Sequence, residues 1–287
     1  MATGLLLAWA PSDRQVFRAG IDVVLVSVTV KDHDGRLITG LTRDDFTVYE
    51  DGIAQTLSYF TSERLPVSLG ILVDVSDSMY GQRIADARRA IDRFVVDLLD
   101  AEDEAFLMTF NHGWELLARW TRPPKALAGR LEAVRPFGST ALYDALAAAG
   151  RQIPRRRHQR CGIVVISDGA DTASESGSVD ARAALLRADA FVYAIAIDAP
   201  PDVGVRRVFS PHALGEMTGA AGGYTEVIRD GSELGAATER IATELNNQYT
   251  LAYSPPHRAD GRFHTIRVDA ANRDLVVRAR RGYFAVE

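Results

Sequence analysis

Three short segments of this sequence gather small oxygen donors where a metal ion could use them. Asp74-Val75-Ser76-Asp77-Ser78 offers a carboxylate and two hydroxyls at alternate positions, between the apolar run 68–73 and a helical pattern. Gly138-Ser139-Thr140 stands before the helical pattern 141–153, and Ser167-Asp168-Gly169 ends the apolar run 162–167. Asp74, Ser76, Ser78, Thr140 and Asp168 together are hard oxygen ligands, a set that suits Mg²⁺ or Mn²⁺ better than zinc. With only two negative ligands, a divalent ion keeps Lewis acidity to spare. The incomplete shell leaves room for water or for a carboxylate from a partner. Helix N-termini after Ser78 and Thr140 add positive dipole ends that favour an anionic ligand. Taken singly each segment is ordinary, since Asp and Ser after a strand are common helix caps. Their joint occurrence, each at a strand end or a helix start, points to a metal site.

The elements that must position these residues follow from hydrophobic periodicity. Apolar runs at 68–73, 105–110, 162–167, 191–197 and 224–228 alternate with helical patterns at 84–98, 126–134, 141–153, 179–189, 212–218 and 232–246, and 114–120 reads as a short strand. Such alternation implies an α/β unit, a doubly wound and mainly parallel sheet flanked by helices, whose strand carboxyl ends bind ligands. Both flanks read differently. Residues 17–60 are β-like, with turn signals at Asp34-Gly35 and Asp51-Gly52 and a hairpin expected across 46–60. Strands are expected again at 248–253, 263–268 and 275–279. The simplest organisation is an N-terminal tail at 1–16, a small β-sandwich-like domain built from 17–64 plus 248–287, and the α/β domain 65–247 inserted between its halves.

Composition narrows the function classes. The 33 Lys and Arg against 38 Asp and Glu give a net charge of −5, which provides no global pull toward nucleic acid or anionic membrane. The single cysteine, Cys161, excludes an internal disulfide and reads as an inert buried thiol. No apolar run is long enough for a transmembrane segment, and the start MATGLLLAWA lacks the basic residues of a clear signal peptide. Arg155-Arg156-Arg157-His158-Gln159-Arg160 reads as a solvated helix cap on the face opposite the oxygen donors, and Arg278-Ala279-Arg280-Arg281 as the exposed face of a strand. The six histidines are scattered, with no close ligand pair. His112, together with Asp77, Ser139 and Asp171, falls where it can rim the oxygen donors.

Asp74-Val-Ser76-Asp-Ser78-Met79, Gly138-Ser-Thr140-Ala-Leu-Tyr-Asp144 and Ile166-Ser-Asp168-Gly-Ala-Asp171-Thr172 resemble the three metal-ion-dependent adhesion site (MIDAS) segments of von Willebrand factor type A (VWA) domains. The resemblance spans about residues 66–246. Flanking segments such as Gly40-Leu41-Thr42-Arg43-Asp44-Asp45-Phe46 and Arg281-Gly282-Tyr283-Phe284 make the whole similar to the bacterial VWFA-related proteins first noted in Acidobacteria, many of which appear exported. The resemblance implies a Rossmann-like VWA fold, direct ligation of Mg²⁺ (or Mn²⁺ or Ca²⁺) by Ser76, Ser78 and Thr140, and ligation by Asp74 and Asp168 directly or through water. It implies an extracytoplasmic location and an acidic group of a protein partner in the remaining coordination position. Asp77 departs from the family, which often has a small residue there.

The expected function is therefore a non-catalytic protein-binding module, with no nucleic-acid partner. Two alternatives stand beside it. One is a metal-dependent phosphohydrolase with Asp74 as phosphoryl acceptor, although position 76 is a serine rather than a second carboxylate and neither a GxSxG elbow nor a GxxxxGK[ST] loop occurs. The other is a structural metal site with the β-domain as the interface.

Overall fold

Strands whose every residue is buried explain why the central apolar runs carry no polar alternation. The computed structural model describes residues 23–198, 211–257 and 259–285, so the expected tail at 1–16, the apolar start of the chain and the onset of the β-like flank lie outside it. The N-terminal flank forms β1 (Val24–Lys31), β2 (Phe46–Glu50), β3 (Ile53–Gln55) and β4 (Leu57–Thr61). The centre runs β5 (Val67–Asp74), α1 (Gln82–Arg93), β6 (Glu104–Phe110), β7 (Trp114–Thr121), α2 (Leu142–Gln152), β8 (Arg160–Ser167) and α3 (Ser178–Ala188). It continues through β9 (Phe191–Ile197), α4 (Pro211–Ala220), β10 (Thr225–Ile228) and α5 (Leu234–Asn246). The C-terminal flank forms β11 (Tyr249–Tyr253), β12 (Phe263–Ala270), β13 (Val276–Arg278) and β14 (Gly282–Phe284).

The central sheet has the order β10-β9-β8-β5-β6-β7, parallel except for β7, which pairs antiparallel with β6 at one edge. Leu69, Ile71 and Val73 of β5 share a core with Ile84 and Ile91 of α1 and Ile241 and Leu245 of α5. Leu72 belongs to the opposite core, with Leu146 of α2, Leu185 of α3 and Leu214 of α4. The helices thus cover both faces. The other strands form two antiparallel sheets, β13-β1-β11-β4 and β14-β12-β2-β3, each drawing on both flanks of the chain. Val26 and Val28, Val48, Leu251 and Tyr253, and Ile266 form one core between them.

Several local expectations change. Residues 126–134 are not an α-helix: a 3-10 turn at Pro124–Leu127 is followed by Gly129 at φ +74°, a left-handed conformation no helix continues through. Arg88 of α1 donates to the carbonyls of Leu131 and Val134 instead, and Asp92 accepts from the Gly129 N–H. Asp51 and Gly52, at φ +48° and +82°, make the expected tight turn, but the hairpin ends at Gln55. Leu57–Thr61 then crosses to pair with β11 in the other sheet. Asp34-Gly35 closes only an isolated bridge between Lys31 and Leu37. The short strand β14 was not anticipated from periodicity.

The arginine runs are likewise more integrated than a solvated reading implies. Arg155 and Arg157 are exposed, but Arg160 is buried and donates to the carbonyls of Leu65 and Leu245 and to Gln248. Arg280 pairs with Asp189 at the end of α3. Arg278 pairs with Glu244 of α5, whose side chain is only 1% exposed. The same carboxylate meets Lys31 Nζ at 2.9 Å and accepts from Tyr193 Oη at 2.7 Å and Thr29 Oγ1 at 3.2 Å. Burial alone would raise the Glu244 carboxyl, but Arg278, Tyr193 and Lys31 outweigh it and hold it below its ordinary value.

A group held down in this way contributes stability above its ordinary value of 4.5, and that contribution fades as pH falls through the lowered folded value. Glu244→Ala strands two cations, so chemical denaturation at pH 7 is expected to give a loss of about 3–5 kcal/mol. The gap from the parent protein narrows below about pH 4.

Candidate functional site

The three oxygen-donor segments meet at the carboxyl edge of the central sheet because β5 and β8 are parallel neighbours, with Val73 registered against Ile166. Asp74 is the last residue of β5 and fully buried. Its Oδ1 accepts from the Ser76 N–H at 2.8 Å, and its Oδ2 accepts from Ser167 Oγ at 2.7 Å. Ser76 Oγ lies 3.0 Å from Ser78 Oγ. Asp168, also buried, accepts from the Ala170 N–H at 3.2 Å.

Backbone hydrogen bonds knit the loops together. Val75 donates to the carbonyl of Phe110, Phe137 to that of Val75, and Asp77 to that of Gly138, at 2.8, 2.9 and 2.9 Å. Thr140 is buried, donates its N–H to Thr172 Oγ1 at 2.9 Å, and takes the N–H groups of Thr172 and Ala173 on its carbonyl. Gly138 turns at φ +80°, and a Cβ there would stand 3.2 Å from His112 Nδ1, so this corner admits only glycine without strain.

The rim residues divide. His112 packs its ring on Phe137, 5.4 Å between centroids, beside Gly138. Ser139 is exposed. Asp77 is exposed too, and its carboxylate accepts from the Gly138 N–H at 3.0 Å, so it clamps two loops together. Asp171 is occupied with Ser174 Oγ and the Tyr143 N–H at the start of α2 rather than with the five donors. Asp144 of α2 accepts from the N–H groups of Glu175 and Ser176 and so pins the loop that follows Asp168.

Two contributors escaped the sequence reading. Arg83 in the first turn of α1 donates to the Ser78 carbonyl at 2.6 Å, and its charge acts on Asp168. Its helical position was visible, but its direction of reach was not. Ser167 orients Asp74, a role implied only once β8 is known to lie beside β5. The histidines are not all dispersed either: His257 and His264 stack at 3.7 Å between centroids, next to Glu50. These three come from separate strands and loops, which local spacing cannot reveal.

Electrostatically the corner holds two carboxylates, Asp74 and Asp168, close together. Burial, and behind it the charge of Asp168, pushes the Asp74 carboxyl up to about 7 despite the hydrogen bonds from Ser167 and Ser76. Burial raises Asp168 as well, opposed by Ser78, the Ala170 N–H and Arg83. Two carboxylates in one dry corner are each other's penalty until a positive charge joins them.

Residues 69–170, which include all five donors, match the sequence profile of the von Willebrand factor type A domain family. Among solved structures, the fold is similar to a von Willebrand factor type A protein from Catenulispora acidiphila: 14% identity, 92% of this chain and 72% of that one covered, TM-score 0.55. It is also similar to the conserved hypothetical protein BatB from Bacteroides thetaiotaomicron, at 24% identity over 62% of this chain and 97% of that one, TM-score 0.52. A third likeness is to the vWF domain of the type V pili tip protein Mfa5 from Porphyromonas gingivalis, at 14% identity over 64% of this chain and 96% of that one, TM-score 0.51. No curated protein matches the chain.

Because the folded protein raises the Asp74 carboxyl, the metal-free state loses stability as pH climbs from the ordinary value of 3.8 toward about 7. Asp74→Asn removes that loss. In EDTA at pH 8 its unfolding free energy is expected to exceed that of the parent by on the order of 2 kcal/mol, with the advantage gone near pH 4.

Proposed function

We propose that this chain, which carries a von Willebrand factor type A domain, is a non-catalytic interaction module that binds an acidic group of a protein partner through a divalent cation. The observation that carries the reading is the spacing of the donors. Adjacent ligands of an octahedral Mg²⁺ at about 2.1 Å lie about 3.0 Å apart, and Ser76 Oγ and Ser78 Oγ are separated by 3.0 Å. Thr140 lies two residues after Gly138, whose carbonyl and N–H bond Asp77 beside the two serines, and Asp74 and Asp168 supply the charge. In this assignment Ser76, Ser78 and Thr140 hold Mg²⁺ (or Mn²⁺ or Ca²⁺) directly, while Asp74 and Asp168 hold it directly or through water. The ion would act as a Lewis acid toward a partner's carboxylate.

The remaining residues support an interaction role. Against a phosphoryl acceptor at Asp74, the residue two positions on is Ser76 rather than a second carboxylate able to act as general acid. We assign residues 65–247 to the binding unit and 17–64 plus 248–287 to a β unit that presents it. The likeness to a pilus-tip domain supports placing the molecule outside the cytoplasm.

Isothermal titration of the full chain with Mg²⁺ is expected to show one site, lost in Asp74→Ala. Ser167→Ala, which only orients Asp74, should weaken the site roughly 10- to 100-fold. Absence of Mg²⁺ binding by the parent protein overturns the metal assignment. Retention on immobilised poly-glutamate that persists in EDTA overturns the carboxylate-bridging role.

A further inference from the structure

We propose a second metal site, for a zinc-type dication, held by Glu50, His257 and His264 in the antiparallel sheets. Glu50 closes β2, His257 lies in the loop after β11, and His264 is on β12. One ligand atom from each lies within 4.8 Å of the other two. Glu50 Oε1 is 2.9 Å from His257 Nε2. Ligands of a tetrahedral zinc at 2.0–2.1 Å stand about 3.3 Å apart, so the three groups must draw together and the His257 ring must reorient to form a coordination shell. The two nitrogens and one carboxylate are borderline donors, unlike the hydroxyl-rich set at the edge of the central sheet, and they favour Zn²⁺ over Mg²⁺.

Hydrogen bonds from neighbouring side chains orient the three groups, and a metal would take the place of Asp260 on His264 Nε2. Glu50 is 2% exposed, and its Oε2 takes the hydroxyls of Tyr253 and Tyr283, which leaves Oε1 facing His257. His264 Nδ1 is 2.8 Å from Asp51 Oδ2, and Asp51 is itself fixed by the Thr265 N–H and Oγ1 on its other oxygen. A carboxylate behind one ring nitrogen sets the tautomer and aims the other nitrogen at a metal. That other nitrogen, Nε2, lies 3.2 Å from Asp260 Oδ1. Glu50 thus faces His257, and Asp51 and Asp260 face His264, with Arg262 Nε 3.9 Å from Asp260 Oδ2. The two rings are stacked, so ligation requires the His257 ring to turn off His264. Its place in a loop and its partial exposure permit that turn. His257 also lines an open pocket, beside Leu186 and Arg187 of α3, Arg280, and Tyr283 of β14.

The test uses the full-length Asp74→Ala protein, in which the Mg²⁺ site is disabled, and in parallel the parent protein saturated with Mg²⁺. Equilibrium dialysis against Zn²⁺ is expected to leave one bound equivalent in both, and Co²⁺ should give visible ligand-field absorption. His257→Gln and His264→Gln should each abolish the uptake, and Asp51→Asn should weaken it roughly 10- to 100-fold. Two results overturn the proposal: no Zn²⁺ uptake by protein with the parent's circular dichroism, or uptake unchanged in the His257→Gln, His264→Gln double variant. Neither depends on whether Mg²⁺ binds elsewhere.

Discussion

A single buried carboxylate, Glu244, ties the parts of this molecule together. It sits near the end of α5 and engages Thr29 and Lys31 of β1, Tyr193 of β9 and Arg278 of β13. Those partners belong to the N-terminal flank, the central sheet and the C-terminal flank. Gln248 continues the network by donating to Thr29 Oγ1 and Tyr193 Oη while accepting from Arg160. A charge at this depth is tolerated only because two cations and two hydroxyls meet it. The penalty for leaving any member unpaired makes the arrangement of the three sheets specific as well as stable.

The oxygen-donor corner follows the opposite logic. There the like charges of Asp74 and Asp168 are confined together and only partly offset, with Arg83 contributing from α1. The surrounding loops are cross-linked by backbone hydrogen bonds. One end of the fold spends its polar groups on mutual satisfaction, and the other keeps a deficit that a ligand can fill. Under the proposed reading, that local inconsistency is the binding site within an otherwise consistent structure.

Much of this was legible in the sequence because it is written in short-range patterns. The unbroken apolar runs that became β5 and β8, the three-and-four spacing of Ile84, Ala87 and Ile91, and the donors at strand ends each report local geometry. What was not legible depends on long-range neighbours. Residues 126–134 have helical spacing, yet Gly129 and the capture of their carbonyls by Arg88 prevent a helix. Leu57 continues an expected hairpin arm, yet β11 supplies a better partner in another sheet. Arg278 and Arg280 alternate like solvent-facing residues, but their acids, Glu244 and Asp189, lie 34 and 91 positions away. The pairing of His257 with His264 beside Glu50 depends on the same kind of distant closure.

The antiparallel pairing of β1 with β11 and β13 has a mechanical consequence. Tension applied between the two flanks is borne by the hydrogen bonds and side-chain packing that join them directly. The load path bypasses the long excursion from β5 to α5, and the donor corner sits in a region shielded from the pull. A cation-bridged contact made there would thus keep its geometry while the rest of the molecule is stretched, with the flanking sheets acting as the clamp.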